Sequence, residues 1–177
     1  MPTSSTPLPL DYVFQQEKNL ADRVYMTQPY TGGQVVNYTW KQAIHESRCM
    51  ASYLKAKNLP RGSKIAIVSK NCAHWIMSDL AIWMAGHVSV PLYPTLTAES
   101  VRQILIHSEA CLAFVGKLDN PPEILAGIPK GMETLSYPSS APDCGTPWDT
   151  IVANTPPLLG EPFFYNDTPT TKIYTSG

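Results

Sequence analysis

Apolar and polar positions alternate with two different periods along this chain, and the change of period divides it. Between Arg23 and Trp40, "RVYMTQPYTGGQVVNYTW" alternates residue by residue around Gly32 and Gly33. That period of two predicts an antiparallel hairpin, with the glycines at the turn. A short helix over "LDYVFQQEKNLA" is expected before it, after a proline-containing lead-in. From Trp40 the apolar positions Ile44, Met50, Ala51 and Leu54 recur at helical spacing, with Thr39 placed to cap the helix and Pro60 and Gly62 to end it.

Beyond Gly62 the chain reads strand, helix, strand, helix, strand. "SKIAIVS" is a brief β-branched apolar run, as a parallel strand buried on both faces requires. Asn71 sits where the N-cap of the next helix, "AHWIMSDLAIWMA", belongs, and Gly86 closes it. "HVSVPLY" follows as a strand that Pro91 restricts to a short or edge position. Thr97 caps "AESVRQILIHSE", with Glu99 in the first turn, and "CLAFVG" is a third strand. After Gly116 proline becomes dense. Short helices are expected at "PPEILAG" and "TPWDTIVAN", a short strand at "METLSY", and a proline-rich connector over residues 156–169. The fold class is α/β: a mostly parallel sheet flanked by helices, with an N-terminal hairpin.

Composition adjusts this picture only slightly. At 177 residues with 44% apolar content the chain can bury a real core. Charged residues make up 15%, a low share that hints at surface meant to be covered by more protein. The net charge of −1 and the scattered Lys and Arg argue against a nucleic-acid partner. The N-terminus lacks the charged and apolar regions of a signal peptide, and "WIMSDLAIWMAG" is too short to span a bilayer and carries Asp79. Cys49, Cys72, Cys111 and Cys144 are widely spaced, as thiols in a reducing cytoplasm. The sequons at Asn37 and Asn166 carry no weight without export.

Candidate chemistry is sparse. The Walker and dinucleotide-binding glycine fingerprints are absent. "HWIMSD" has the H-x-x-x-x-D spacing of some acyltransferases, but on a helix His74 and Asp79 diverge by roughly 140° and cannot share a proton. His45, His87 and His107 stand at no metal-ligating spacing, and "HSE" at His107 places its side chains around a helix rather than facing one another. The ending "TPTTKIYTSG" differs. A strand closing on Ile173 and Tyr174 feeds Thr175, Ser176 and Gly177, and such a small-residue curve can present hydroxyls and backbone N–H groups to phosphate oxygens. An ordinary turn after a strand accounts for those four letters equally well.

The wider context favours the first reading. The segment Arg61–Gly116, the "YTW" at Tyr38, the "SVPLYPTL" at Ser89 and the approach "NDTPTTKIYTSG" resemble, in the same order, the N-terminal region of AMP-forming acyl-CoA synthetases. These belong to the adenylate-forming superfamily, and "SVPLYPTL" resembles its fatty-acid branch in particular. The family often has Pro-Glu where this chain has Ala73-His74, so a capping box with Asn71 is lost.

The resemblance implies that residues 1–177 are an incomplete N-terminal part of an adenylate-forming ligase domain, interrupted inside the phosphate-binding loop. Deliberate truncation, proteolysis and a stop codon all remain open as causes. It implies a parent enzyme that uses ATP, Mg2+ and coenzyme A to activate a carboxylic acid, a fatty acid by the branch resemblance. Thr175, Ser176 and Gly177 would bind phosphate; the lysine of that loop, the metal site and the catalytic residues would lie elsewhere. By itself the 177-residue chain is expected to be inactive, to hold no cofactor and to self-associate through exposed sheet surface. The parent is expected in the cytoplasm, with contact to a membrane surface left open. A ligase for another acid or one not using coenzyme A, and a short non-catalytic α/β binding module, are the alternatives.

Overall fold

The structure, a computed structural model, describes residues 7–160. Helix α1 (Pro9–Asn19) opens with proline at its first position, where the missing N–H costs nothing, and Asp11 accepts the Leu8 N–H across the first turn. Strands β1 (Val24–Pro29) and β2 (Val35–Thr39) form the expected antiparallel hairpin. Its turn needs left-handed backbone at Gly32 and Gly33, with φ of 82° and 80°. Helix α2 (Trp40–Ala56) starts with a full capping box: Thr39 Oγ1 accepts the Gln42 N–H at 3.2 Å, and Gln42 Oε1 accepts the Thr39 N–H at 2.9 Å. It ends at Ala56, ahead of Pro60 and Gly62, in a turn through Asn58, whose φ is +53°.

The second unit of the fold is a parallel sheet. Its strands are β3 (Lys64–Val68), β4 (Val88–Leu92), β5 (Ala110–Val115), β6 (Glu133–Ser136) and β7 (Thr146–Pro147), in spatial order β4-β3-β5-β6-β7. Every pairing is parallel. The connecting helices are α3 (Ala73–Met84), α4 (Ala98–His107) and α5 (Pro121–Leu125), and α6 (Trp148–Asn154) follows β7. Both faces of the sheet are covered, which is why its central strands are continuously apolar. Ile65 and Ile67 of β3, with Leu112 and Phe114 of β5, pack into the core built by α1, α2, α3 and α6. Ala66 and Val68, with Ala113, face α4 and α5. Pro91 lies on β4, an edge strand, where its missing N–H breaks no inner ladder.

One capping expectation is corrected. The N-cap of α3 is Cys72, not Asn71, and no side chain of the loop itself caps the helix. The Ala73 N–H instead donates to Gln28 Oε1 of β1 at 2.8 Å, so the hairpin supplies the cap from 45 residues away. Gln28 is buried, and its amide nitrogen donates to the Pro29 carbonyl. The expected capping role of Thr97 is observed, with its hydroxyl accepting the Ser100 N–H. The two-residue strand β7 was not anticipated; it precedes the expected helix at Trp148.

Candidate functional site

Thr175, Ser176 and Gly177, the candidate phosphate-binding residues, lie outside the described residues, as does the connector beyond Gly160. What the described residues define is the scaffold around them. In an open α/β sheet, ligands favour the crevice beyond the carboxyl ends of the strands where the strand order reverses. Here the chain steps from β3 to β4 on one side and then returns to β5 on the other. Three residues meet at that place: Ser69 after β3, Gly116 after β5 and Tyr137 after β6.

They close it. A Cβ on Gly116 would stand 2.2 Å from Ser69 Oγ and 2.3 Å from Tyr137 Cδ2, far inside contact distance. The Ser69 hydroxyl turns away to the Lys70 carbonyl at 2.7 Å, and Tyr137 shares a hydrogen bond with Ser78 of α3. Burial pushes the Tyr137 phenol well above its ordinary pKa, so it is a neutral packing group. Lys70 and Asp119 pair across the mouth. Side chains thus pack tightly around Gly116 at this place.

His74 and Asp79 go separate ways, as helical geometry requires. The His74 ring lies 1% exposed among Tyr38, Tyr137 and Trp148, at centroid distances of 5.7, 5.6 and 5.2 Å. Its Nε2 has no hydrogen-bond partner among the described residues, and burial lowers its pKa to about 4. Asp79 accepts the hydroxyl of Ser89 on β4; burial raises its pKa and that hydrogen bond opposes the rise. The two share no proton. Behind His74, Trp148 Nε1 donates to Glu46 at 2.8 Å, tying α6 to α2.

The beginning of the connector is held firmly, by a residue that the sequence reading passed over. Arg48 of α2 donates through Nη1 to the carbonyls of Gly160, at 2.7 Å, and Leu158, at 3.4 Å. Its Nη2 pairs with Glu17 of α1 at 3.1 Å, its guanidinium lies 4.6 Å from the Phe14 ring centre, and its own carbonyl accepts the Leu158 N–H. An open groove of about 460 Å³ runs beside this contact, lined by Glu17, Lys41, His45, Arg48 and residues 157–160. A local signal did exist. Arg48 follows Ile44 by four residues and precedes Ala51 by three, so a cation sits on the apolar stripe and requires partners.

Comparison with known proteins decides what this scaffold is part of. The family model described as AMP-binding enzyme matches residues 13–177. The chain belongs to this AMP-binding family. It is similar to the long-chain-fatty-acid–CoA ligase FadD15 of Mycobacterium bovis, 30% identical over 171 residues, which cover 93% of this chain and 28% of that protein. Long chain acyl-CoA synthetase 5 of Arabidopsis thaliana is 31% identical over 102 residues, covering 56% and 15% of the two chains.

Among solved structures, acetoacetyl-CoA synthetase from Streptomyces lividans superposes with a TM-score of 0.72 at 17% identity, over 88% of this chain and 26% of that one. An anthranilate CoA ligase, AuaEII, solved in complex with anthranoyl-AMP, gives 0.68 at 20% identity, over 92% and 31%. The expected α/β architecture is therefore that of acyl-CoA ligases, and the chain spans 28% of the length of the FadD15 relative. Among the described residues no group of three or more His, Cys, Asp and Glu could hold a metal ion, and no helix is long and apolar enough to cross a membrane.

Proposed function

We propose that this chain is the N-terminal part of an AMP-binding domain whose parent protein activates a carboxylic acid, a fatty acid by its similarity to long-chain ligases, with ATP and passes the acyl group to coenzyme A. The observation that carries the reading is the family match over residues 13–177, which runs through "YTSG" itself. The identity with a long-chain-fatty-acid–CoA ligase over 93% of the chain favours the substrate class.

In this reaction the carboxylate attacks the α-phosphorus of ATP, pyrophosphate leaves, and the thiol of coenzyme A then displaces AMP from the acyl-adenylate. The protein contributes mainly position and charge stabilisation. Thr175 and Ser176 donate hydroxyl and backbone hydrogen bonds to the β- and γ-phosphates, and Gly177 lets the backbone approach them. Magnesium would supply charge neutralisation when bound; the described residues do not fit a metal, and no step is drawn through it.

The test is the full-length protein with a panel of acids, with and without coenzyme A, following AMP and pyrophosphate. Long-chain acyl-CoA formation supports the proposal. Adenylate formation that coenzyme A does not consume would redirect it to a ligase of another type, and absence of any acid-dependent AMP would remove it.

A further inference from the structure

We infer that the hairpin β1–β2 is an acid-released strap over the first turn of α3, with His74 as the group that senses the proton; the inference does not depend on the functional reading above. Both strands grip the same two neighbouring residues. From β1, Gln28 Oε1 accepts the Ala73 N–H at 2.8 Å. From β2, the Tyr38 ring meets the His74 ring edge to face, with 5.7 Å between centres and 87° between planes. Little else holds the hairpin there. It forms a sheet of its own, apart from the parallel sheet, and Gln28 is the one residue of its two strands that is buried. A two-stranded ribbon is only marginally stable without outside support.

The base of the hairpin is tied to α2 instead. The Trp40 N–H donates to the Arg23 carbonyl at 3.0 Å, the Lys41 N–H to the Ala21 carbonyl at 2.9 Å, and Tyr25 stacks on Trp40 with ring centres 3.7 Å apart. Gln28 lies toward the other end, paired with Val36 beside the Gly32–Gly33 turn. The hairpin can therefore swing about its base and lift from α3 while its strands stay paired.

A proton on His74 drives that motion. The ring is 1% exposed, its Nε2 has no partner among the described residues, and burial is the cause of its lowered pKa. Around it, burial raises the pKa of Tyr38 and of Tyr137, so both phenols are neutral throughout the acid range. Cys72, just ahead on the same turn, is a thiol also raised by burial. Behind Trp148, burial raises the pKa of Glu46; the Trp148 hydrogen bond opposes this and Asp149 of α6 adds to it, so Glu46 sheds charge as pH falls. An imidazolium in this cage has no acceptor and must leave it. Tyr137 and Trp148 are core residues, 2% and 1% exposed, so the wall that yields is Tyr38 with its hairpin.

His74 takes its proton near pH 4 when enclosed and near the usual value of about 6.5 when released, so the strap is fully closed above about pH 6.5 and weakens as pH falls. Hydrogen exchange at the Ala73 amide of the 177-residue chain, read by NMR, reports the release. Its protection is at least a hundredfold below that of Ala66 and Phe114 in the parallel sheet, and falls about thirtyfold between pH 7.5 and pH 5. In His74→Phe the Ala73 protection no longer depends on pH. Should that variant fail to fold, a pH series on the unsubstituted chain decides: Ala73 protection is flat above about pH 6.5 and falls about tenfold per unit below pH 6. Protection at Ala73 equal to that at Ala66 and Phe114 overturns the strap, because the turn then opens only with the whole fold. A flat pH series, or a pH dependence retained in His74→Phe, overturns His74 as its sensor.

Discussion

Replacing Gly116 with alanine tests whether the crevice at the reversal of strand order is shut. The backbone at Gly116 is not in the left-handed region, so the substitution meets no φ penalty and its consequence is purely steric. The new Cβ would approach Ser69 Oγ to 2.2 Å, Tyr137 Cδ2 to 2.3 Å and Ser69 Cβ to 2.7 Å, against ordinary contacts of roughly 3.5–4.0 Å. Ser69 and Tyr137 cannot easily retreat: both are buried, one hydrogen-bonded to the Lys70 carbonyl and the other to Ser78. Overpacking of this kind costs about 1–3 kcal/mol. Taking about 2 kcal/mol, and 2–4 °C per kcal/mol for a chain of this size, Tm falls by roughly 4–8 °C. Urea unfolding of the 177-residue chain, followed by Trp fluorescence, should show a lower midpoint at unchanged slope. Ser69→Gly in the same background removes two of the three close approaches and recovers about half the loss, a coupling expected of touching residues. An alanine variant as stable as the wild type would mean that the crevice has room, and a ligand could then sit there.

Three further outcomes follow from the same geometry. His74 is neutral in the fold, with its pKa lowered to about 4 by burial, while in the unfolded chain it titrates near the usual histidine value of about 6.5. The unfolded state therefore binds the proton first, so stability is full above about pH 6.5 and declines as pH falls toward 4, by on the order of 3 kcal/mol; in His74→Leu, denaturant midpoints measured across that range should lose this slope. Thr39→Ala removes one half of the capping box of α2 and should cost about 1 kcal/mol, read from the urea midpoint, with Gln42→Ala in the same background adding less than it does alone. Edge strand β4 ends beside Tyr93, 79% exposed, and carries Val88, 40% exposed, so the 177-residue chain should self-associate. Sedimentation should show mass rising with concentration, less so in Val88→Lys; a monomer at all concentrations would refute this.

The parallel sheet was legible because strands buried on both faces leave brief, uninterrupted apolar runs such as "IAIV" and "ACLAFV". Capping was legible where donor and acceptor are three residues apart, as at Thr39 and Thr97. It was not legible at α3, since Gln28 reaches the helix from the hairpin, and local pattern carries no sign of a partner 45 residues away. The same limit hid Arg48, whose charge on an apolar stripe marked a need but not the carbonyls that meet it. His74 was read only by exclusion. Its spacing to Asp79 ruled out shared chemistry, yet nothing in "CAHWIM" announces a ring enclosed by Tyr38, Tyr137 and Trp148, which come from three other elements or their ends.

Acid-dependent exchange of labelled pyrophosphate into ATP, measured on the full-length protein without coenzyme A, tests the central claim most directly. The account predicts exchange that requires a long-chain fatty acid and falls at least a hundredfold when Thr175 and Ser176 are both replaced by alanine, the scale of losing two donors to a phosphate. Exchange absent with every acid tried, or undiminished in the double variant, would contradict it.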